Sequence, residues 1–119
     1  MKLTDIELEI MNVLWKSELP LTASDIIAAS PKRTWKETSI HVILKTLQAK
    51  SVVVVDHHVP TTGRSAKAYK VAVEKAQYLA SQVLEFGVDL PELFKALVEE
   101  EKKLKKSPKI VQIHCEEND

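Results

Sequence analysis

The chain has 119 residues and a mass of 13.4 kDa, the size of one domain or of a small domain with an appendage, so two independent hydrophobic cores are not expected. Its 45% hydrophobic content suffices for a core, and 29% charged residues without a low-complexity tract exclude wholesale disorder. Seventeen Lys and Arg balance seventeen Asp and Glu, so the whole-chain charge carries no nucleic-acid signature. With only two glycines, Gly63 and Gly87, neither a Gly-rich phosphate loop nor a dinucleotide fingerprint can be written. The longest apolar runs, Ile26 to Ala29 and Val52 to Val55, are far short of the roughly 20 residues a bilayer span needs. Asp5 precedes any signal-like apolar stretch, and the single Cys115 has no internal disulfide partner. The chain therefore reads as cytoplasmic, in a reducing compartment and away from membranes.

Thr4-Asp5-Ile6-Glu7 has the form of a capping box. Ile6, Ile10 and Leu14 follow at helical spacing, widened by Leu8, Met11 and Trp15, which predicts a first helix over about 5–17. After Pro20, Thr22 is expected to cap a short second helix with Ile26 and Ile27 as buried candidates, ended by Ser30-Pro31. Thr34-Trp35-Lys36-Glu37 reads as a second capping box, and Ile40, Ile43, Leu44 and Leu47 mark one face of a third helix running to about Lys50. The opposite face holds Thr38, His41, Val42, Lys45, Thr46 and Gln48, with no acid among them.

Val52 to Val59 and Ala68 to Val71 read as two strands joined by the turn-forming stretch Pro60 to Ser65, a hairpin whose flexible tip carries Arg64 and Lys67. Beyond Val73 a helical period returns. Ala76, Leu79, Val83 and Phe86 stripe a fourth helix that Gly87 can end. Asp89 with Pro91 and Glu92 opens a fifth, striped by Leu90, Leu93, Phe94, Leu97, Val98 and Leu104 and stopped at Ser107-Pro108. A flexible acidic tail follows from Lys109.

Three helices and then a two-stranded hairpin is the element order of a winged helix-turn-helix, a mainly α, α+β fold. Residues 1–72 are assigned to that domain and 73–119 to a C-terminal helical dimerisation region. Leu79, Val83, Phe86, Leu90, Leu93, Phe94, Leu97 and Val98 exceed what a lone helical hairpin can cover, so they are the expected dimer face. Charge divides at the same place. Residues 1–72 hold ten Lys and Arg against seven Asp and Glu, and 73–119 hold seven against ten. Within 36–70 six bases face two acids, where a phosphate backbone would lie.

Two segments resemble a known family. Glu7-Leu8-Glu9-Ile10-Met11-Asn12-Val13-Leu14-Trp15 is similar to the Glu-Trp-x-Val-Met-x-x-Leu-Trp segment of the penicillinase and methicillin-resistance repressors, the BlaI/MecI/CopY type. Trp35, Thr38-Ser39-Ile40 and Leu44-x-x-Leu47 are similar to that family's recognition helix. The resemblance covers about residues 3–72. It implies a homodimeric repressor on double-stranded DNA, binding a palindromic operator through the third helix. Leu8, Ser39 and Thr46 stand where the family usually has Trp, Thr and Arg. Neither a Cys-x-Cys pair nor an Asn-Phe dipeptide occurs, so neither the copper-type sensor nor the proteolytic switch carries over, and the inducing signal or protease partner is left open.

The candidate DNA contacts are Trp35, Lys36, Thr38, Ser39, His41, Val42, Lys45, Arg64 and Lys67. Hydroxyls and Lys45 can meet base edges or phosphates, Val42 can pack on a thymine methyl, and Arg64 and Lys67 can each neutralise a phosphate. The plainer reading makes the same groups a solvated face and a solubilising loop tip. Trp15 reads as a core anchor, and Trp35 either as one or as a phosphate donor. His57, His58, His114 and Cys115 lack the paired spacing of a metal site, and neither metal nor cofactor is expected. No nucleophile elbow, His-Glu-x-x-His or complete deaminase signature is present, so the chain does not read as an enzyme. Two other readings remain open: a winged-helix module for protein–protein assembly, and a metal-responsive regulator.

Overall fold

The computed structural model describes residues 2–105. Helix α1 (Asp5–Lys16) starts at the expected box: Thr4 Oγ1 accepts from the Glu7 amide at 3.2 Å, and Glu7 Oε1 accepts from the Thr4 amide at 2.8 Å. Its buried face is Glu7, Ile10, Met11 and Leu14, whereas Ile6 is exposed. A carboxylate can occupy that face because Lys50 Nζ lies 2.6 Å from Glu7 Oε1. Burial is the largest influence on this carboxyl and raises its pKa, but Lys50 and the Thr4 hydrogen bonds together hold it below the ordinary value.

A two-residue strand, β1 (Leu21–Thr22), absent from the sequence reading, leads into α2 (Ala23–Ala28). Thr22 caps α2 by accepting from the Asp25 amide at 3.2 Å, and Asp25 returns the bond to the Thr22 amide at 3.0 Å. Ile26 is fully buried and Ile27 half-buried.

The second capping box does not form. Helix α3 (Ile40–Ala49) begins after a single 3-10 turn, Glu37–Ser39, that has no side-chain cap. Thr34 turns to α1 instead: its amide donates to Glu9 Oε1 at 3.3 Å and its hydroxyl donates to Glu9 Oε2. Glu37 pairs with Arg33 at 3.1 Å. A carboxylate 25 residues away takes both Thr34 donors, and the local box loses to it. Ile40, Leu44 and Leu47 fill the core as the period requires. At its end α3 closes with a Schellman motif, Val52 N–H to Leu47 C=O at 3.2 Å and Ser51 N–H to Gln48 C=O at 2.9 Å, which places Ser51 at φ 62°.

Strands β2 (Val53–Thr61) and β3 (Arg64–Val71) form the hairpin, and β1 pairs with β3, so the sheet has three antiparallel strands in the order β1-β3-β2 rather than the two expected. Pairing continues to Thr61 and Arg64, so the turn shrinks to Thr62-Gly63, and Gly63 at φ +72° supplies the left-handed residue it needs. Lys67 thus faces His58 on the shank of the wing, not at its tip. A bulge between Val55 and His57 leaves Asp56 outside the ladder.

These elements enclose one core within the compact unit Met1–Gln82. Helix α4 (Lys75–Phe86) enters it through Tyr78, whose hydroxyl accepts from the Leu3 amide at 3.2 Å and whose ring lies 5.9 Å from Trp15. Trp15 Nε1 donates to the Val73 carbonyl at 2.9 Å and so is a core anchor. The expected stripe of α4 is not its buried face, since Leu79 and Phe86 are exposed. The second unit, Val83–Asp119, contains α5 (Leu90–Lys105), whose first turn is capped by Asp89 Oδ2 accepting from the Glu92 amide at 3.3 Å. Gly87 takes φ +71° where α4 ends. The expected stop at Ser107-Pro108, the acidic tail, His114 and Cys115 lie outside the described residues. Among the described residues no helix is long and apolar enough to cross a membrane.

Candidate nucleic-acid interface

Burial of Ile40, Leu44 and Leu47 fixes the rotation of α3 about its axis, so His41, Lys45 and Gln48, one residue further on, share another face. That face forms one wall of a groove of about 1100 Å³. The start of α2, with Thr22, Ser24 and Ile27, makes the second wall, and the wing, with Thr61, Arg64, Ser65 and Lys67, makes the third. Five of the candidate contacts line it together: Thr38, His41, Lys45, Arg64 and Lys67.

Four candidates lie elsewhere. Lys36 is exposed and Ser39 half-buried outside the groove lining. Val42 is 68% exposed on the adjoining outer stripe of α3. Trp35 is a core residue at 5% exposure, with the Arg33 guanidinium 5.5 Å above its ring. Its Nε1 is buried and has no hydrogen-bond partner among the described residues. Ser24, Thr61 and Ser65 line the groove without having been singled out in the sequence. Ser65 adjoins Arg64 in the chain, whereas Ser24 and Thr61 reach the groove only through the fold of α2 and the pairing of Thr61 with Arg64 across the hairpin.

The groove is electropositive for local reasons. Its one acid, Glu37, is neutralised by Arg33 at 3.1 Å. Of the six bases between residues 36 and 70, Lys50 is paired with Glu7 at 2.6 Å and Lys70 with Asp56 at 3.1 Å. Among the described residues no ion pair engages Lys36, Lys45, Arg64 or Lys67. At the bulge, the His57 hydrogen bond at 2.7 Å and then Lys70 hold the Asp56 carboxyl below its ordinary value. Burial pushes the Tyr69 phenol, at the floor of the groove, upward. Among the described residues no group of three or more His, Cys, Asp or Glu side chains is placed to hold a metal ion.

Helices α1 to α3, a hairpin wing and a cationic groove lined by hydroxyls between them define a winged-helix protein. The chain belongs to the penicillinase repressor family, whose model matches residues 3–109. No curated protein matches the chain. Its fold is similar to that of a PadR-like transcription factor from Bacteroides fragilis, with 23% identity over 79% of this chain and 87% of that one and a TM-score of 0.53. A PadR family transcription regulator from Clostridium difficile is similar at 17% identity over 82% and 97%, with a TM-score of 0.52. The ferric uptake regulator of Helicobacter pylori matches at 22% identity over 60% of this chain and 47% of that one, with a TM-score of 0.46. The chain spans about half the length of the ferric uptake regulators it matches.

Proposed function

We propose that the chain represses transcription as a homodimer on a palindromic operator, with residues 1–72 reading DNA and residues 73–119 joining the two copies. Helix α3 enters the major groove, where Thr38, Ser39, His41, Val42 and Lys45 face base edges, while Lys36, Arg64 and Lys67 meet phosphates. Trp35 acts from beneath, as part of the core that carries α3. The observation that supports this reading above the others is the set Lys45, Arg64 and Lys67, which among the described residues make no ion pair around one groove whose one described acid is paired with Arg33. Dimerisation is supported by Leu90, Phe94 and Leu97, each more than half exposed on α5.

Selection of bound sites from random duplexes tests the proposal. The expected outcome is an inverted repeat with half-sites about 10 base pairs apart, or a multiple of that. Replacing Arg64 and Lys67 together by Ala should weaken binding to all duplexes and flatten the salt dependence by roughly 1–2 in slope. Recovery of no common sequence, or an unchanged slope, rejects it.

A further inference from the structure

The outer stripe of α3 carries a chemistry that the cationic groove does not account for. Val42 is 68% exposed and, among the described residues, stands outside the core and the side chains packed against it. Thr46, one turn further on and also exposed, donates its hydroxyl to the Val42 carbonyl at 3.0 Å. Its only proton donor is therefore spent on the helix, and its γ-methyl is the group left to present. Ala49, exposed and one more turn along, extends the stripe without charge. Because Ile40, Leu44 and Leu47 are locked in the core, α3 cannot roll to hide these groups.

We propose that Val42 and the methyl of Thr46 form an apolar ledge that reads C5-methyl groups of pyrimidines in the major groove, and so select operators with two thymines at adjacent or next-adjacent steps. Residues one turn apart hold their Cβ atoms about 5–6 Å from each other, between one and two base-pair rises of roughly 3.4 Å. The major-groove edge of thymine is set apart by its methyl, and an aliphatic side chain is the group that senses it. This inference rests on α3 being the reading helix, and it adds which bases that helix prefers.

The test uses the full-length protein and the half-site recovered from random duplexes, resynthesised with uracil in place of thymine, which removes the methyl and alters no hydrogen-bonding group. Loss of one buried methyl should lower affinity about fourfold, and loss of both correspondingly more. Val42→Ala should erase the thymine-over-uracil preference at one position, and Thr46→Ser, which keeps the hydroxyl, should erase it at the other. Comparing 5-methylcytosine with cytosine at the same positions separates the two sources of the methyl. A preference there exceeding that for thymine assigns the ledge to methylated DNA, and a smaller one assigns it to thymine. Equal binding of thymine and uracil duplexes overturns the inference, as does a preference that survives both substitutions. Failure to recover any half-site would instead remove the DNA-reading proposal on which it stands.

Discussion

Helices α3 and α5 carry the same kind of apolar period, and the two have opposite fates. In α3 the leucines at positions 44 and 47 are fully buried. In α5 no residue is buried, and Leu90, Leu97 and Leu104 are 53–57% exposed, with Phe94 at 70%. The N-terminal unit closes its core within one chain, using α1 to α3, the sheet and Tyr78. The stripe of α5 has no such cover among the described residues. Periodicity therefore announces that a face is apolar, and only the tertiary fold tells whether the same chain supplies what covers it.

The contrast is most strongly broken by Leu44→Ala, which opens a cavity at the centre of the N-terminal core. It should cost about 3 kcal/mol in urea unfolding, and a loss below about 1 kcal/mol would mean that α3 is not anchored there. On the other side, Leu97→Asp should leave N-terminal stability within about 0.5 kcal/mol, since it touches a solvated face. If that face joins two copies, sedimentation should shift to monomer and operator affinity should fall about a hundredfold through lost avidity.

A smaller effect probes how the N-terminal unit tolerates a buried acid. Glu7→Gln keeps a group able to form the cap but removes the charge facing Lys50, and should cost about 1 kcal/mol at neutral pH because Lys50 Nζ can turn to water. The Glu7 carboxyl titrates below its ordinary 4.5 in the folded chain. Its contribution is thus complete above that value and is lost as pH falls from it through the folded value. The stability gap between wild type and Glu7→Gln should close over that acidic window, and a constant gap would assign Glu7 no role as an anion. The smallest effect is expected at Ser51, which sits at φ 62° after α3. Ser51→Gly should stabilise the protein by about 0.5–1 kcal/mol, measured as a raised urea midpoint.

Much of the fold could be read from residues whose partners are near in sequence. Thr4 and Glu7, the α3 core face, and the glycines at 63 and 87 behave as their spacing implies. What could not be read depends on distant partners. The Thr34 box fails because Glu9 competes for it, the burial of Glu7 depends on Lys50, and β1 is two residues that become a strand only when β3 lies beside them. The groove was legible as a list of polar residues on α3 and a basic hairpin. Pairing was not: Lys50 and Lys70 look in the sequence like Lys45 and Lys67, yet each is held by a carboxylate.

Thr22 belongs to two elements at once: its backbone pairs with Ala68 in β3 while its side chain opens α2. Wing and helix-turn-helix therefore share a single joint and have no hinge between them at that point. Displacing the wing at that joint would therefore also disturb the start of α2. On the proposed reading, a duplex meeting that joint shares in the fit, so the stiffness of an operator, and not only its base edges, would enter the selection.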